Sequence, residues 1–299
     1  MNLKGSFSNT HLYSKISLLF GLIFSSFILH NLFALFIVSL SVQDGFNMFF
    51  SYDLSSSLSI NIMKFVQFFN ALGTFITPIL IYGYIIDFDF NFKTSVNRQS
   101  ALIVIAIMIL VTPIVSFLLE WNTLINFPEW MLKYDMNSED IVLAFLNMNS
   151  YWDLFFNIIV MAIIPAFGEE LLFRGLLQKS LFKKIGEIHI SIFITALLFS
   201  AIHLHLDGLL PRFFLGIILG YLFYWSQSLW IPIIAHFINN AMAIIFSYPF
   251  FKSFNTLQQF GFSSANQTTN TSFLPAFFSL SSVMILMFLF YKNSFIKKD

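Results

Sequence analysis

Eight continuous apolar runs, each near the length a helix needs to cross a bilayer, leave this chain few folds to choose from. At about 1.5 Å of rise per residue, roughly 20 apolar residues traverse about 30 Å of hydrocarbon. The runs fall at about 16–40, 61–86, 101–119, 154–178, 188–205, 209–226, 229–247 and 273–292. The fifth is the shortest reading and ends in the polar stretch "HLHLD". None shows the alternation of barrel strands, so the pattern excludes a β-barrel. The expectation is an all-α, polytopic membrane helix bundle of about eight transmembrane helices, with residues 1–299 forming a single membrane domain. At 58% hydrophobic and 10% charged residues, the chain lacks the charged surface of a soluble domain, which is nearer a quarter charged. The run from Ile16 to Leu40 is also too long for the core of a cleaved signal peptide.

Charge and cysteine narrow the function classes. Fifteen basic residues balance fifteen acidic ones, so no basic surface invites nucleic acid. The absence of cysteine removes disulfides, thiolate metal ligands and a cysteine nucleophile. The connectors alternate in charge. Lys4 and Lys15, then Lys93 and Arg98, then Lys179, Lys183 and Lys184, and finally Lys292, Lys297 and Lys298 mark one side. Asp44, Asp53, Glu129, Asp135, Glu139 and Asp140 mark the other. By the positive-inside rule both termini are expected to be cytoplasmic, in a cytoplasmic (inner) membrane. The connector "FPEWMLKYDMNSEDIVLAFL" reads as a short helix on the outer surface, with Trp130 and Trp152 as interfacial anchors. His205 and Asp207 read as residues of the membrane edge.

The informative residues are the polar ones at membrane depth. In "IVMAIIPAFGEELLFRGLLQK" two glutamates and an arginine interrupt a spanning run, and a central charge there costs roughly 2.5–3.5 kcal/mol on insertion scales. Glu170 and Arg174, four apart, share a helix face and can pair. Glu169 lies about 100° round the helix from Glu170 and looks into different surroundings. The next run carries "FSAIH", with His203 four residues after Phe199. The seventh carries "HFINN", with His236 and Asn240 on one face and Asn239 pointing elsewhere. Gly216 and Gly220 read as a close-packing face. Glu169, His203, His236 and Asn240 thus stand on three helices that can face a common interior. A carboxylate with two imidazoles can take a proton from water and stabilise a developing oxyanion. The same trio can ligate one divalent metal such as zinc that activates the water. No serine is placed as an activated nucleophile, which favours direct attack by water. Two further readings of the same residues are a bis-histidine haem site at His203 and His236 and an ion pathway. Neither uses the whole set: haem leaves the glutamates without a role, and an ion path does not need Asn240.

In this order, "EELLFR", "FSAIH" and "HFINN" match EExxxR, FxxxH and HxxxN motifs, and the chain from about 150 to 245 resembles the CPBP (ABI, CAAX-protease) family of intramembrane endopeptidases. The resemblance makes residues 150–245 the catalytic core. It implies that Glu169 and His203 activate the hydrolytic water, that His236 and Asn240 stabilise the oxyanion, and that Glu170 and Arg174 hold the geometry. The implied substrate is a peptide or membrane protein, in contact with membrane lipids. Metal dependence stays open, with Glu169, His203 and His236 as the ligands if a metal is bound and no other cofactor expected. The alternative is a non-catalytic membrane protein that kept the fold and binds a peptide or regulator.

Overall fold

The computed structural model describes residues 3–51, 53–92, 96–203, 206–252 and 273–295. Lys93, His205, Lys297 and Lys298 lie outside the described residues, as do the side chains of Trp130, Asp135, Glu139 and Asp207. Nine principal helices follow in order: α1 Leu12–Ser41, α2 Ser57–Ile86, α3 Arg98–Asn122, α4 Glu129–Leu146, α5 Tyr151–Ile185, α6 Ile188–Ala201, α7 Leu209–Ser226, α8 Trp230–Ser247 and α9 Phe273–Phe295. No strand occurs among the described residues. The protein is an integral membrane helix bundle, as the unbroken apolar runs require.

Among the described residues seven helices are long and apolar enough to span a membrane, α1, α2, α3, α5, α7, α8 and α9, and an eighth apolar helix is shorter. The expected fifth span is α6, whose 14 residues cover only about 21 Å. The polar residues that follow Ala201 cannot extend it through hydrocarbon. Conversely, α5 outruns its expected end at 178 and continues to Ile185 over 35 residues. Gly186 stops it in the left-handed region (φ +81), which a residue without Cβ adopts freely. Lys183 and Lys184 occupy the last turn, where cations complement the helix dipole.

Internal prolines bend the long helices. Pro78, Pro113 and Pro165 each sit at the start of a resumed α-helical segment. In α2 and α5 a π-helical stretch precedes the proline, at Leu72–Ile76 and Ile158–Ile163, because a proline gives no N–H to the carbonyl four residues back. A third π-helical stretch, Leu171–Gln178, follows directly after Glu170. Close packing then locks α6 against α7. A Cβ on Gly216 would meet the Cβ of Ala196 at 3.0 Å, and one on Gly220 would meet Ile192 Cγ2 at 2.8 Å. The largest buried cluster joins α3, α7, α8 and α9 through Ile107, Leu222, Ile231 and Phe290.

The basic connectors gather at one end of the bundle. Lys4 pairs with Asp87 at 3.4 Å. Lys179 donates to Asn91 Oδ1 at 2.6 Å and to the Asp89 carbonyl, and Asn91 Nδ2 reaches the Gln227 carbonyl at 3.2 Å. The acidic connector behaves differently from its sequence reading as a surface helix. The last turns of α4 leave Phe145 only 4% exposed, and Ile141, Val142, Phe145 and Leu146 stand on the wall of a cavity.

Candidate active site

The α5–α6 hairpin sets the depth of the site. Glu169 lies sixteen residues back from Ile185, and His203 fifteen residues on from Ile188. At about 1.5 Å per residue both stand roughly 20–25 Å from the same turn, and so level with each other. The longer α5 removes the mismatch in depth that a span ending at 178 would create. His203 follows the end of α6, where the last carbonyls have no helical partner. Its Nδ1 meets one of them, Phe199 O, at 2.8 Å. A carbonyl only accepts, so Nδ1 carries the proton and Nε2 is turned toward α5.

On α5, Glu169 is 9% exposed, while Glu170 and Arg174 are fully buried. Arg174 Nη1 donates to Glu170 Oε1 at 2.7 Å, the pairing that their four-residue spacing predicts. The structure adds a second partner: His236 Nδ1 lies 2.9 Å from the same oxygen. One carboxylate oxygen therefore fixes both the arginine and the imidazole of α8, and directs His236 Nε2 away from Glu170. Arg174 Nη2 goes on to the Gly216 carbonyl at 3.0 Å. One turn later Gln178 Nε2 takes the Gly220 carbonyl at 3.0 Å. The glycines thus do more than allow close packing, since they bare two carbonyls to α5.

The two Nε2 atoms converge on Glu169. Its Oε2 is 3.6 Å from His203 Nε2 and 3.9 Å from His236 Nε2. These separations are too long for direct hydrogen bonds, whose usual range ends near 3.2 Å. They suit one small molecule that touches all three groups. Oε2 is buried and takes no direct hydrogen bond from the protein, so it is available to accept one. The donor types would also suit a divalent cation. Among the described residues, however, no group of three or more such side chains is arranged to hold a metal ion. Oε2-to-Nε2 gaps of 3.6 and 3.9 Å exceed the roughly 3.3 Å between donors of a tetrahedral zinc centre with 2.0–2.1 Å bonds.

Asn240 reaches the same cavity by another route. Pro165 has no N–H to offer Met161 O, four residues back, and Asn240 Nδ2 donates to that carbonyl at 3.3 Å. The proline that reshapes α5 is thus what ties Asn240 beside it. Asn239, expected to point elsewhere, donates from Nδ2 to Asn240 Oδ1 at 3.2 Å and lines the cavity too. All four candidate residues border this cavity of about 590 Å³. Glu169, His203 and His236 form its tight cluster, and Asn240 extends it one turn along α8.

Phe199, quoted only as part of a motif, occupies the middle of the site. Its ring lies under the Arg174 guanidinium at 4.6 Å and meets His203 and His236 edge-on at centroid distances of 5.2 and 5.7 Å. The four-residue spacing from His203 was a usable signal for it. Gln178, two turns after Glu170 on the same face, was equally discoverable. Asn122 was not: this buried residue of α3 holds the entry to α7 through Leu206 O at 2.7 Å and Leu210 N at 2.9 Å, from 84 and 88 positions away.

Comparison with known proteins converges on this part of the chain. Residues 151–242 match the type II CAAX prenyl endopeptidase Rce1-like family. The chain is similar to the uncharacterized protein YpbD of Bacillus subtilis (strain 168), 32% identical over 90 residues. That match covers 29% of this chain and 43% of the length of YpbD. No solved structure matches the chain.

Proposed function

We propose that this chain, whose residues 151–242 match the type II CAAX prenyl endopeptidase Rce1-like family, is an intramembrane endopeptidase of the CPBP type that hydrolyses a peptide bond by direct attack of water. The observation that carries the reading is Glu169 Oε2 facing the Nε2 atoms of His203 and His236 at 3.6 and 3.9 Å on the wall of a cavity large enough for an extended peptide segment.

In this mechanism Glu169, seconded by the free lone pair of His203 Nε2, takes a proton from the water as its oxygen bonds to the scissile carbonyl carbon. The electron pair of the C=O moves to its oxygen. His236, held by Glu170 in the manner of a histidine oriented by a buried carboxylate, donates from Nε2 to that oxyanion when protonated. The Asn240 amide hydrogen not given to Met161 O is a second donor. Collapse of the tetrahedral intermediate breaks the C–N bond, and the proton taken by Glu169 passes to the departing amine. The roles given to Glu169, His203, His236 and Asn240 complete the hydrolysis without a metal in any step.

The substrate is a peptide or membrane protein that enters the cavity from the bilayer or its interface. The protein resides in the cytoplasmic membrane with the lysine-rich end of the bundle, near Lys4 and Lys179, inside. The decisive experiment is purification and reconstitution of the wild type and of Glu169→Gln, followed by terminal-peptide proteomics of membranes exposed to each. Cleavage products that depend on Glu169 are expected. Identical termini from both forms would instead favour the second reading, a binding protein that retains the cavity without turnover.

A further inference from the structure

Outside the catalytic cavity, one buried cation has no ion pair. Lys64 of α2 is 2% exposed, yet among the described residues it forms no salt bridge. Its Nζ lies 5.6 Å from the centre of the Phe145 ring. Asp153 lines the same pocket as Lys64 without coming within ion-pair distance. A lysine placed in this way on a spanning helix is stabilised by an anion it can reach from the headgroup layer.

The surroundings of Lys64 describe that anion. Lys64 and Asp153 share a pocket of about 470 Å³ with Asn61, Phe65, Trp152 and Phe155. Asp153 caps the start of α5, accepting from Asn149 N, Ser150 N and Ser150 Oγ, all on Oδ2. Oδ1 takes part in none of these bonds. Trp152, 78% exposed, stands at the rim as an aromatic belt does at the edge of the hydrocarbon. The pocket therefore offers, at interfacial depth, a cation, a carboxylate oxygen and an aromatic wall that continues toward the bilayer interior.

We propose that this pocket is a headgroup site for a zwitterionic aminophospholipid. Lys64 Nζ holds the phosphodiester, Asp153 Oδ1 holds the ammonium, and one acyl chain lies along Phe65 and Phe155. Basic pockets between spanning helices bind lipid headgroups by this chemistry. The site is also coupled in space to the cavity. Phe145, whose ring Lys64 Nζ approaches, also lines the cavity, and Asn157 Nδ2 holds the Phe145 carbonyl at 2.6 Å. A bound lipid therefore steadies the inner end of α4. The proposal does not depend on the hydrolytic reading, because binding is measured without any cleavage.

The test uses the full-length protein, delipidated in detergent and titrated with phosphatidylethanolamine or phosphatidylglycerol under native mass spectrometry. One phosphatidylethanolamine per protomer is expected, retained in preference to phosphatidylglycerol. Lys64→Met should weaken retention about tenfold or more, and Lys64→Arg should keep it within about threefold. Asp153→Asn should erase the preference for phosphatidylethanolamine. Equal retention by wild type and Lys64→Met overturns the proposal. So does displacement of the lipid by millimolar inorganic phosphate, which would assign the site to free phosphate. Should Lys64→Met fail to fold, the wild-type lipid preference decides, and equal or reversed retention overturns the zwitterionic assignment.

Discussion

Removing Glu170 should reveal two separate roles. Its Oε1 accepts from Arg174 at 2.7 Å and from His236 at 2.9 Å, with both charged residues fully buried. Glu170→Leu strands a buried guanidinium, and Arg174→Leu strands a buried carboxylate. Breaking such a pair from either side costs about 3–5 kcal/mol, a loss of more than a hundredfold in the folded-to-unfolded ratio at about 1.4 kcal/mol per decade. The double variant removes both charges and leaves neutral groups unpaired, chiefly His236 Nδ1 and the Gly216 carbonyl. It should lie within about 1–3 kcal/mol of the wild type. Activity should not follow stability. His236 lacks its acceptor in the double variant as in Glu170→Leu, so cleavage should stay about 10²–10⁴-fold down, as when a catalytic histidine loses its orienting carboxylate. Thermal unfolding in detergent reads the first effect, and a reconstituted peptide-cleavage assay the second. Single variants as stable as the wild type, or activity that returns in the double variant, would refute the reasoning.

Glu169→Gln and His203→Ala should each abolish cleavage while membrane insertion and abundance stay at wild-type levels, measured by quantitative blotting of washed membranes. Asn240→Ala should lower the rate by about 10²–10³, the usual effect of losing one oxyanion donor; a larger loss would mean that its bond to Met161 O also maintains the shape of α5. Gly216→Val forces a side chain into Ala196, whose Cβ is 3.0 Å from the position a Cβ would take. It should lower stability by about 1–3 kcal/mol in the same unfolding assay. Exhaustive chelation should leave the rate of the purified enzyme unchanged, and loss of activity restored by zinc would show that the trio closes on a metal.

The sequence carried the site better than its frame. Spacing alone paired Glu170 with Arg174 and separated Glu169 from them, because a helix turns by a fixed angle per residue. Spacing could not show that His236 shares the Glu170 oxygen, which depends on how α8 approaches α5. It also could not show where α6 ends. Hydropathy merges a 14-residue helix with the loop after it, and divides α5 at Lys179 although the helix continues for two more turns. The π-helical stretches left no compositional mark except Pro78 and Pro165. Pro165 was the overlooked signal. Placed four residues before Glu169, it vacates the carbonyl that Asn240 takes, and so links α5 to α8 beside the reactive groups. The place of the end of α4 on the cavity wall was hidden for a different reason: its mixed composition fits an interfacial helix and a cavity wall equally well.

The shortness of α6 has a consequence for supply. A reaction that consumes one water per turnover, deep among phenylalanines, depends on how that water arrives. Where a helix of about 21 Å stands in a slab of about 30 Å, the leaflet beside it must dimple or admit solvent. His203 sits just past that end, so thinning of the leaflet there would bring solvent beside the proposed site. Membrane thickness then becomes a governor of turnover: thicker bilayers should slow this protein, and thinner ones should hasten it, with no change in a single side chain.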